Sequence, residues 1–139
     1  MRVENTGDSR LSYLEATAKF YDDQGSLVTS TYDNVIDMAP GEVWETWIPA
    51  LENKEIITDG KAVVSDASSF DVSRKPADVV LVDHELQQPT GTYDSPKVVG
   101  HARNEGDRRD YLEARAKFYT EDGTLLSAGF DNVREIGGG

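Results

Sequence analysis

A long internal repeat, out of phase with the ends of the chain, constrains the fold most. The segment Asn5–Val35 returns as Asn104–Val133, with one residue deleted near Leu11. From Tyr13 to Val35, 13 of 23 positions are identical in the second copy. A period of about 98 residues is the size of a domain and not of a short solenoid repeat. The 139 residues hold one such period and less than half of another. The first copy therefore lacks its beginning and the second lacks its end.

Alternating apolar and polar residues predict β-strands in both copies. Every second residue of Tyr13–Tyr21 is apolar, and Tyr111–Tyr119 alternates in the same way. Period two is typical of a half-buried strand. The turn sequences at Asp23–Gly25 and Glu121–Gly123 then reverse the chain, so each copy is predicted to contain a β-hairpin. The strands predicted after the two turns are Leu27–Tyr32 and Leu125–Phe130.

The rest of the chain is predicted to add more strands and no helix, because no segment has a convincing helical period. The additional strands are expected at Glu42–Ile48, Lys61–Phe70, Val79–Leu86 and Lys97–Asn104. Residues 87–96 contain two prolines and a glycine and predict a loop. Many short strands separated by turns predict an all-β fold, an antiparallel β-sandwich.

Three short motifs resemble the FxLYD domain family. The first is the run Ala18–Asp22 followed by Gly25, and the second is the turn Met38–Glu42. The third is the alternating segment Val98–Asn104, which leads into Gly106. The family is similar to immunoglobulin-like β-sandwiches and often occurs in secreted or surface-anchored prokaryotic proteins, including those of haloarchaea. The resemblance therefore implies an immunoglobulin-like fold and an extracellular or cell-surface location. The family carries no agreed catalytic residues.

Strand order in that family divides the chain into two incomplete copies. Residues 1–72 form a first copy without its first strand, 73–78 a linker, and 79–139 a second copy without its last strands. One chain thus supplies one sandwich and one spare hairpin. Either residues 79–104 fold back to complete the first copy, or residues 42–133 form a circularly permuted sandwich. The spare hairpin has open edges and needs a sheet to pair with, so an edge-to-edge or strand-swapped dimer is expected.

The charge of the chain argues against two classes of partner. There are 26 acidic and 14 basic residues, a formal net charge of −12. Nucleic acids and anionic membranes both require a basic face. An excess of aspartate and few lysines favour a surface adapted to high salt, where self-repulsion is screened. The chain has no cysteine, and neither a signal peptide nor an apolar stretch that could span a bilayer is expected from its sequence.

The two histidines, His84 and His101, are the first candidates for a metal site. They lie on strands expected to neighbour each other, with Asp83 and Glu85 close in sequence. His101 should point away from the face of Val98, and no third ligand has a diagnostic spacing. Surface or edge histidines are the favoured interpretation, and no metal site is predicted.

The acidic turns at Asp22–Gly25 and Glu121–Gly123 are the second candidates. A calcium loop needs several oxygen ligands at fixed spacing and a bidentate glutamate, which neither turn supplies. We interpret both as hairpin turns. The repeated segments Asp33–Val35 and Asp131–Val133 are likewise expected to be structural, because Asp and Asn side chains bond their own backbone in turns.

Two asparagines, the final glycine run and one tryptophan are further candidates for a functional role. Asn5 and Asn104 precede a glycine at strand ends and are expected to be structural. Gly137–Gly139 aligns with a turn and is therefore not a phosphate loop. Trp47 lies on the strand face opposite Trp44, where it could mark a contact surface. Burial in the core or under the spare hairpin is the favoured interpretation for Trp47.

No catalytic, cofactor-binding or metal-binding constellation emerges from these residues. The sequence therefore predicts a non-catalytic β-sandwich module for interaction or spacing in a surface or secreted protein. The alternative is a module that binds a ligand or cation with the loops at one end of the sandwich.

Overall fold

The computed structural model describes residues 1–69 and 78–139. Of the predicted linker only Asp78 belongs to these ranges, and Phe70 lies outside them. Within the described ranges the chain forms nine β-strands and one short 3-10 turn, so the all-β prediction is confirmed. The strands are β1 Arg2–Glu4, β2 Leu11–Tyr21, β3 Leu27–Met38, β4 Val43–Glu45, β5 Asp59–Ser68, β6 Val79–Gln87, β7 Lys97–Asn104, β8 Arg109–Tyr119 and β9 Leu125–Ile136, and the turn is Lys54–Ile56.

The repeated segments form two hairpins. Hairpin 1 consists of β2 and β3, and hairpin 2 consists of β8 and β9. The second strand of each hairpin is longer than predicted, because the Asp-Asn-Val segments continue the strand instead of ending it. In contrast β4 is shorter than predicted. β4 is short because its partner β1 has only three residues. The backbone N–H after β4, that of Thr46, bonds to the carbonyl of Met1, the first residue of the chain.

The chain divides into two compact units, and hairpin 2 is shared between them. Unit 1 comprises Met1–Val72 and Lys117–Gly129, and unit 2 comprises Ser73–Ala116 and Phe130–Gly139. The residues Lys117–Gly129 are called the tip of hairpin 2 below.

Unit 1 is a sandwich that contains a piece of the second copy. One sheet has the order β3-β2-β5. The other contains β1 and β4, and β4 pairs in parallel with β9 through Trp44 and Leu125. Both sheets contribute side chains to one core. The fully or almost fully buried members of that core are Leu14, Ala16, Val35, Met38, Trp44 and Leu125.

This arrangement differs from both alternatives drawn from the strand count. Hairpin 1 pairs with β5 of its own copy, so residues 13–35 are not the spare segment of a permuted sandwich. The strands within residues 79–104 pair with each other. The edge of β4 is instead occupied by β9, through Leu125.

Unit 2 has little buried apolar surface. Its strands β6 and β7 form a two-stranded antiparallel sheet. Val79 is its one buried apolar side chain in the part of the chain that the structure describes. Across the described residues, no helix is long and apolar enough to cross a bilayer.

Candidate functional site

The two copies share unusual backbone conformations, so the repeat encodes local structure. In each copy, three residues at corresponding places have positive φ angles. The pairs are Gly25 and Gly123, Asp37 and Glu135, and Gly41 and Gly139. Glycine adopts positive φ without steric cost, which accounts for its place in the turn of each hairpin.

Asn5 and Asn104 fix the same junction in the two copies. Both are buried. The amide nitrogen of Asn5 donates to the carbonyl of Met38 at 3.2 Å, and that of Asn104 donates to the carbonyl of Gly137 at 3.1 Å. Each bond joins the chain before a hairpin to the end of that hairpin, at its last residue in the first copy and one residue later in the second. Both asparagines thus have the expected structural role, since buried polar groups require partners.

The acidic turns bind their own backbone. Asp22 Oδ1 accepts hydrogen bonds from the N–H groups of Gln24 at 3.0 Å and Ser26 at 2.7 Å. In the second turn Asp122 accepts a hydrogen bond from the Thr120 hydroxyl, which lowers the pKa of the Asp122 carboxyl. No group of three or more His, Asp or Glu side chains within residues 1–69 and 78–139 is arranged to hold a metal ion.

The two histidines lie on opposite faces of the β6–β7 sheet. His101 is paired with Asp83, whereas His84 is paired with Gly100. Successive side chains on a strand point to opposite faces, so the two imidazoles do not converge. His101 Nδ1 lies 2.8 Å from Asp83 Oδ1, and both side chains are exposed. The two side chains form a hydrogen-bonded pair at the surface.

The repeated Asp-Asn-Val segments lie inside strands and not in turns, so their interpretation as turns is wrong. Asp33 Oδ1 accepts from the N–H of Asn34 at 2.9 Å, and Asp131 Oδ1 accepts from the N–H of Asn132 at 2.8 Å. The other oxygen of Asp33 accepts a hydrogen bond from the buried Thr46 hydroxyl. Asp33 therefore bonds a residue just beyond β4.

Trp44 and Trp47 have opposite environments. Trp44 is 1% exposed in the core of unit 1, but Trp47 is 87% exposed. The expectation that Trp47 is buried is wrong, because β4 ends at Glu45 and no strand follows to cover it. Trp47 borders an open groove of about 500 Å³ in unit 1. The groove is lined by Met1, Ala18, Phe20, Trp47, Ile48, Pro49, Gly60, Lys61 and Ala62.

A partly buried polar cluster in unit 1 joins the first copy to the tip of hairpin 2. Lys117 Nζ lies 2.9 and 2.7 Å from the two carboxylate oxygens of Glu42. The Tyr119 hydroxyl donates to Glu42 at 2.7 Å, as does the N–H of Ala39. In hairpin 1 the lysine at the corresponding place, Lys19, is exposed. Identical residues therefore have different roles in the two copies.

The ionisation of this cluster follows from its burial and its hydrogen bonds. Burial acts to raise the pKa of Glu42, but hydrogen bonds from Lys117, Tyr119 and Ala39 outweigh burial and leave the pKa lowered. Burial and the hydrogen bond to Glu42 raise the pKa of Tyr119 to about 12. A carboxylate, an ammonium group and a neutral phenol thus stabilise one another.

The apolar side of hairpin 2 is open in unit 2. Val35 of hairpin 1 is 1% exposed, whereas the matching Val133 is 47% exposed. Ala16 is fully buried, whereas the matching Ala114 is exposed. The exposed large apolar residues of unit 2 are Leu81, Val82, Leu86, Tyr93, Val98, Tyr111, Phe130 and Val133. Apolar residues that are buried in hairpin 1 and exposed at the matching places of hairpin 2 are candidates for contact with a partner.

Comparison with protein-family models, with curated proteins and with solved structures finds no match. The resemblance to the FxLYD family thus stays a prediction that rests on the three motifs.

Sequence reasoning missed the cluster of Glu42, Lys117 and Tyr119 because all three residues lie on segments whose pairing the repeat does not determine. The alternation of β8 matches that of β2 and gives no sign that the end of hairpin 2 belongs to another unit. One signal was available. A positively charged residue, Lys117, sits beside the apolar Phe118 and needs an anionic partner if the end of the hairpin is covered.

Proposed function

We propose that this chain is a non-catalytic β-sandwich module of a surface or secreted protein, and that it acts by binding other strands, including those of its own kind. The observation that carries the proposal is the contrast between the buried apolar side of hairpin 1 and the open side of hairpin 2. Val35 and Val133 differ in exposure from 1% to 47% although their hairpins share most of their sequence. Val133 and Ala114 of hairpin 2, which match buried apolar residues of hairpin 1, are exposed to solvent. Exposed apolar surface of this kind is typical of an interaction site.

The electrostatics support an interaction in concentrated salt. A net charge of −12 repels a second copy at low ionic strength. At about 1 M salt the screening length falls to about 3 Å, so apolar and strand-edge contacts act with little opposition. The surface location is supported by the resemblance to the FxLYD family.

Sedimentation in solution tests the proposal. The mass of the intact chain is measured over a range of concentrations, at low salt and at about 1 M salt. We expect dimers that become more abundant as concentration and salt increase. A monomer at every concentration and at both salt concentrations contradicts self-association. Detection of substrate turnover that is lost when a carboxylate side chain is replaced contradicts the non-catalytic assignment.

The groove beside Trp47 favours a second candidate function, the binding of a small apolar ligand. An exposed indole next to Phe20 and Pro49 offers flat apolar surface, and Lys61 supplies a cation at its border. The neutral fluorescent probe N-phenyl-1-naphthylamine is the reagent for the test. Saturable binding that the variant Trp47→Ala abolishes supports the candidate, and equal signals from both proteins reject it.

A cation-binding version of this candidate has a separate test. Melting is followed with and without calcium or zinc at constant ionic strength. A ligand that binds the folded state raises the melting temperature. An unchanged melting temperature rejects cation binding.

A further inference from the structure

Strand β8 is a central strand by sequence but an edge strand by position. Tyr111–Tyr119 differs from Tyr13–Tyr21 at one residue only, where Arg115 replaces Thr17. In its sheet β2 is bonded on both sides, by β3 and β5. In the described residues β8 is the last strand of its sheet and is bonded to β9 alone. Among the residues that the structure describes, no strand covers on β8 the edge that β5 covers on β2.

The single difference changes the charge pattern of that open edge. On the outer face of β2, Glu15 lies opposite Asp66 of β5, and Thr17 bonds the Ser65 hydroxyl at 2.9 Å. On β8, Arg115 contacts Glu113 of its own strand at 2.6 Å. An acid and a base now stand two residues apart on one face, with Ala114 between them.

This spacing makes β8 complementary to a second copy of itself. When two identical strands pair antiparallel about a two-fold axis at Ala114, each Glu113 lies opposite Arg115 of the other copy. Opposite charges directly across a strand pair stabilise it, and like charges destabilise it. The same register places Leu112 opposite Ala116 on the apolar face, so a small residue faces a large one.

The charges near Tyr111 agree with this difference between the strands. The Tyr13 hydroxyl donates to Glu15, which raises the pKa of Tyr13, and the negative charge of Asp66 raises it further. The Tyr111 hydroxyl donates to Glu113 and its pKa is raised too, but the positive charges of Arg115 and Arg134 oppose the shift. The edge of β8 is thus less negative than that of β2, in a chain with a large negative charge.

We propose that β8 is the self-association edge of this protein, and that two copies pair antiparallel through residues 112–116 about a two-fold axis at Ala114. The proposal rests on the proposed function and names the surface through which it acts. Pairing joins the two copies edge to edge, so that the strand order β4-β9-β8 of one copy continues into β8-β9-β4 of the other. The edge of β8 that no other strand covers in the described residues is then paired. The interface is isologous and closed, so a dimer forms and not a fibre.

Charge exchange tests the pairing. The variants Glu113→Arg and Arg115→Glu each place like charges opposite each other in a homodimer, and each is expected to weaken dimerisation by about tenfold or more. A mixture of the two variants restores both opposite-charge pairs and is expected to form heterodimers with near wild-type affinity. The matched controls are Arg103→Glu and Glu105→Arg, which change a similar exposed pair at the end of β7. These two controls are expected to dimerise like the wild type.

Cysteine cross-linking tests the register. The chain has no cysteine, so a single Ala114→Cys reports one contact. At the two-fold axis the two Cβ atoms lie about 4.5–5.5 Å apart, close enough for a disulfide after small adjustment. We expect covalent dimers from this variant under mild oxidation. Thr92→Cys, in the exposed loop after β6, measures random collision and is expected to stay mostly monomeric.

The outcomes separate this proposal from the more general one. Dimers that Glu113→Arg and Arg115→Glu leave intact, with Ala114→Cys no faster than Thr92→Cys, overturn pairing through β8 but leave self-association standing. A wild-type chain that remains monomeric overturns both.

Discussion

Hairpin 1 and hairpin 2 are repeats of one another with different environments, and 13 of the 23 residues from Tyr13 to Val35 recur in hairpin 2. Their backbones agree even in the residues with positive φ angles. Their burial does not, because hairpin 1 pairs with β5 and packs in one core with Trp44 of β4, whereas hairpin 2 contributes only Leu125 of its tip to the buried residues of that core. Identical alternation thus determines strand and turn, while the neighbouring segments determine which residues form a core.

The comparison is sharpest just after the turn of each hairpin. There the residue of hairpin 2 is buried and the matching residue of hairpin 1 is exposed. Leu125 in the tip of hairpin 2 is fully buried in the core of unit 1, but the matching Leu27 of hairpin 1 is 56% exposed. The core of unit 1 therefore contains the leucine of the second copy, while the matching leucine of the first copy is exposed to solvent.

The largest effect is expected at this reversed pair. Leu125→Ala should lower the free energy of unfolding by about 2–5 kcal/mol, because it leaves a cavity in the core. The control, Leu27→Ala, should change it by no more than about 0.5 kcal/mol. Urea denaturation followed by tryptophan fluorescence gives both values. Equal losses would mean that the tip of hairpin 2 does not belong to this core.

The next largest effect is expected at Val35 and Val133, where the residue of hairpin 1 is the buried one. Val35→Ala removes two buried methyl groups and should cost about 1–3 kcal/mol. Val133→Ala should be close to neutral in the monomer, since its side chain is already in contact with solvent. Denaturation followed by circular dichroism, at a concentration too low for dimers, compares them. A large loss from Val133→Ala would show that the apolar side of hairpin 2 is covered.

A smaller effect is expected at the matching lysines. Lys117→Met leaves the partly buried Glu42 without its cation and should cost about 1–3 kcal/mol. Lys19→Met changes an exposed side chain of hairpin 1 and should change stability by about 0.5 kcal/mol or less. Thermal melting of the two variants is the measurement. The explanation of the cluster fails if Lys117→Met melts like the wild type.

The smallest effect is a pH dependence carried by Tyr119. Its pKa is raised from 10.0 to about 12 in the folded protein. The protonated phenol is therefore favoured by folding, and its contribution is complete below the unfolded pKa and is lost as the pH rises from about 10 toward 12. Tyr119→Phe should flatten the loss of stability in this range. Identical alkaline curves for the wild type and Tyr119→Phe would contradict the hydrogen bond to Glu42.

The sequence predicts the strands and turns of this chain well, and the partners of those strands poorly. Strand β7 is found at Lys97–Asn104 as predicted, and β2 begins two residues before its predicted start. Alternation and glycine turns are local signals, so they survive in both copies. Local alternation does not predict the exposure of Trp47. That exposure depends on the point at which β4 loses its pairing with β1, which is a long-range contact. The place of Leu125 in the core is a long-range pairing that its own hairpin does not encode.

One measurement tests the central claim, that the tip of hairpin 2 completes the core of the first copy. In a nuclear Overhauser spectrum of the intact chain with labelled leucine methyl groups, the Trp44 indole protons should show contacts to the methyl groups of Leu125 and none to those of Leu27. Contacts to Leu27, or none to Leu125 in a folded sample, would contradict the claim.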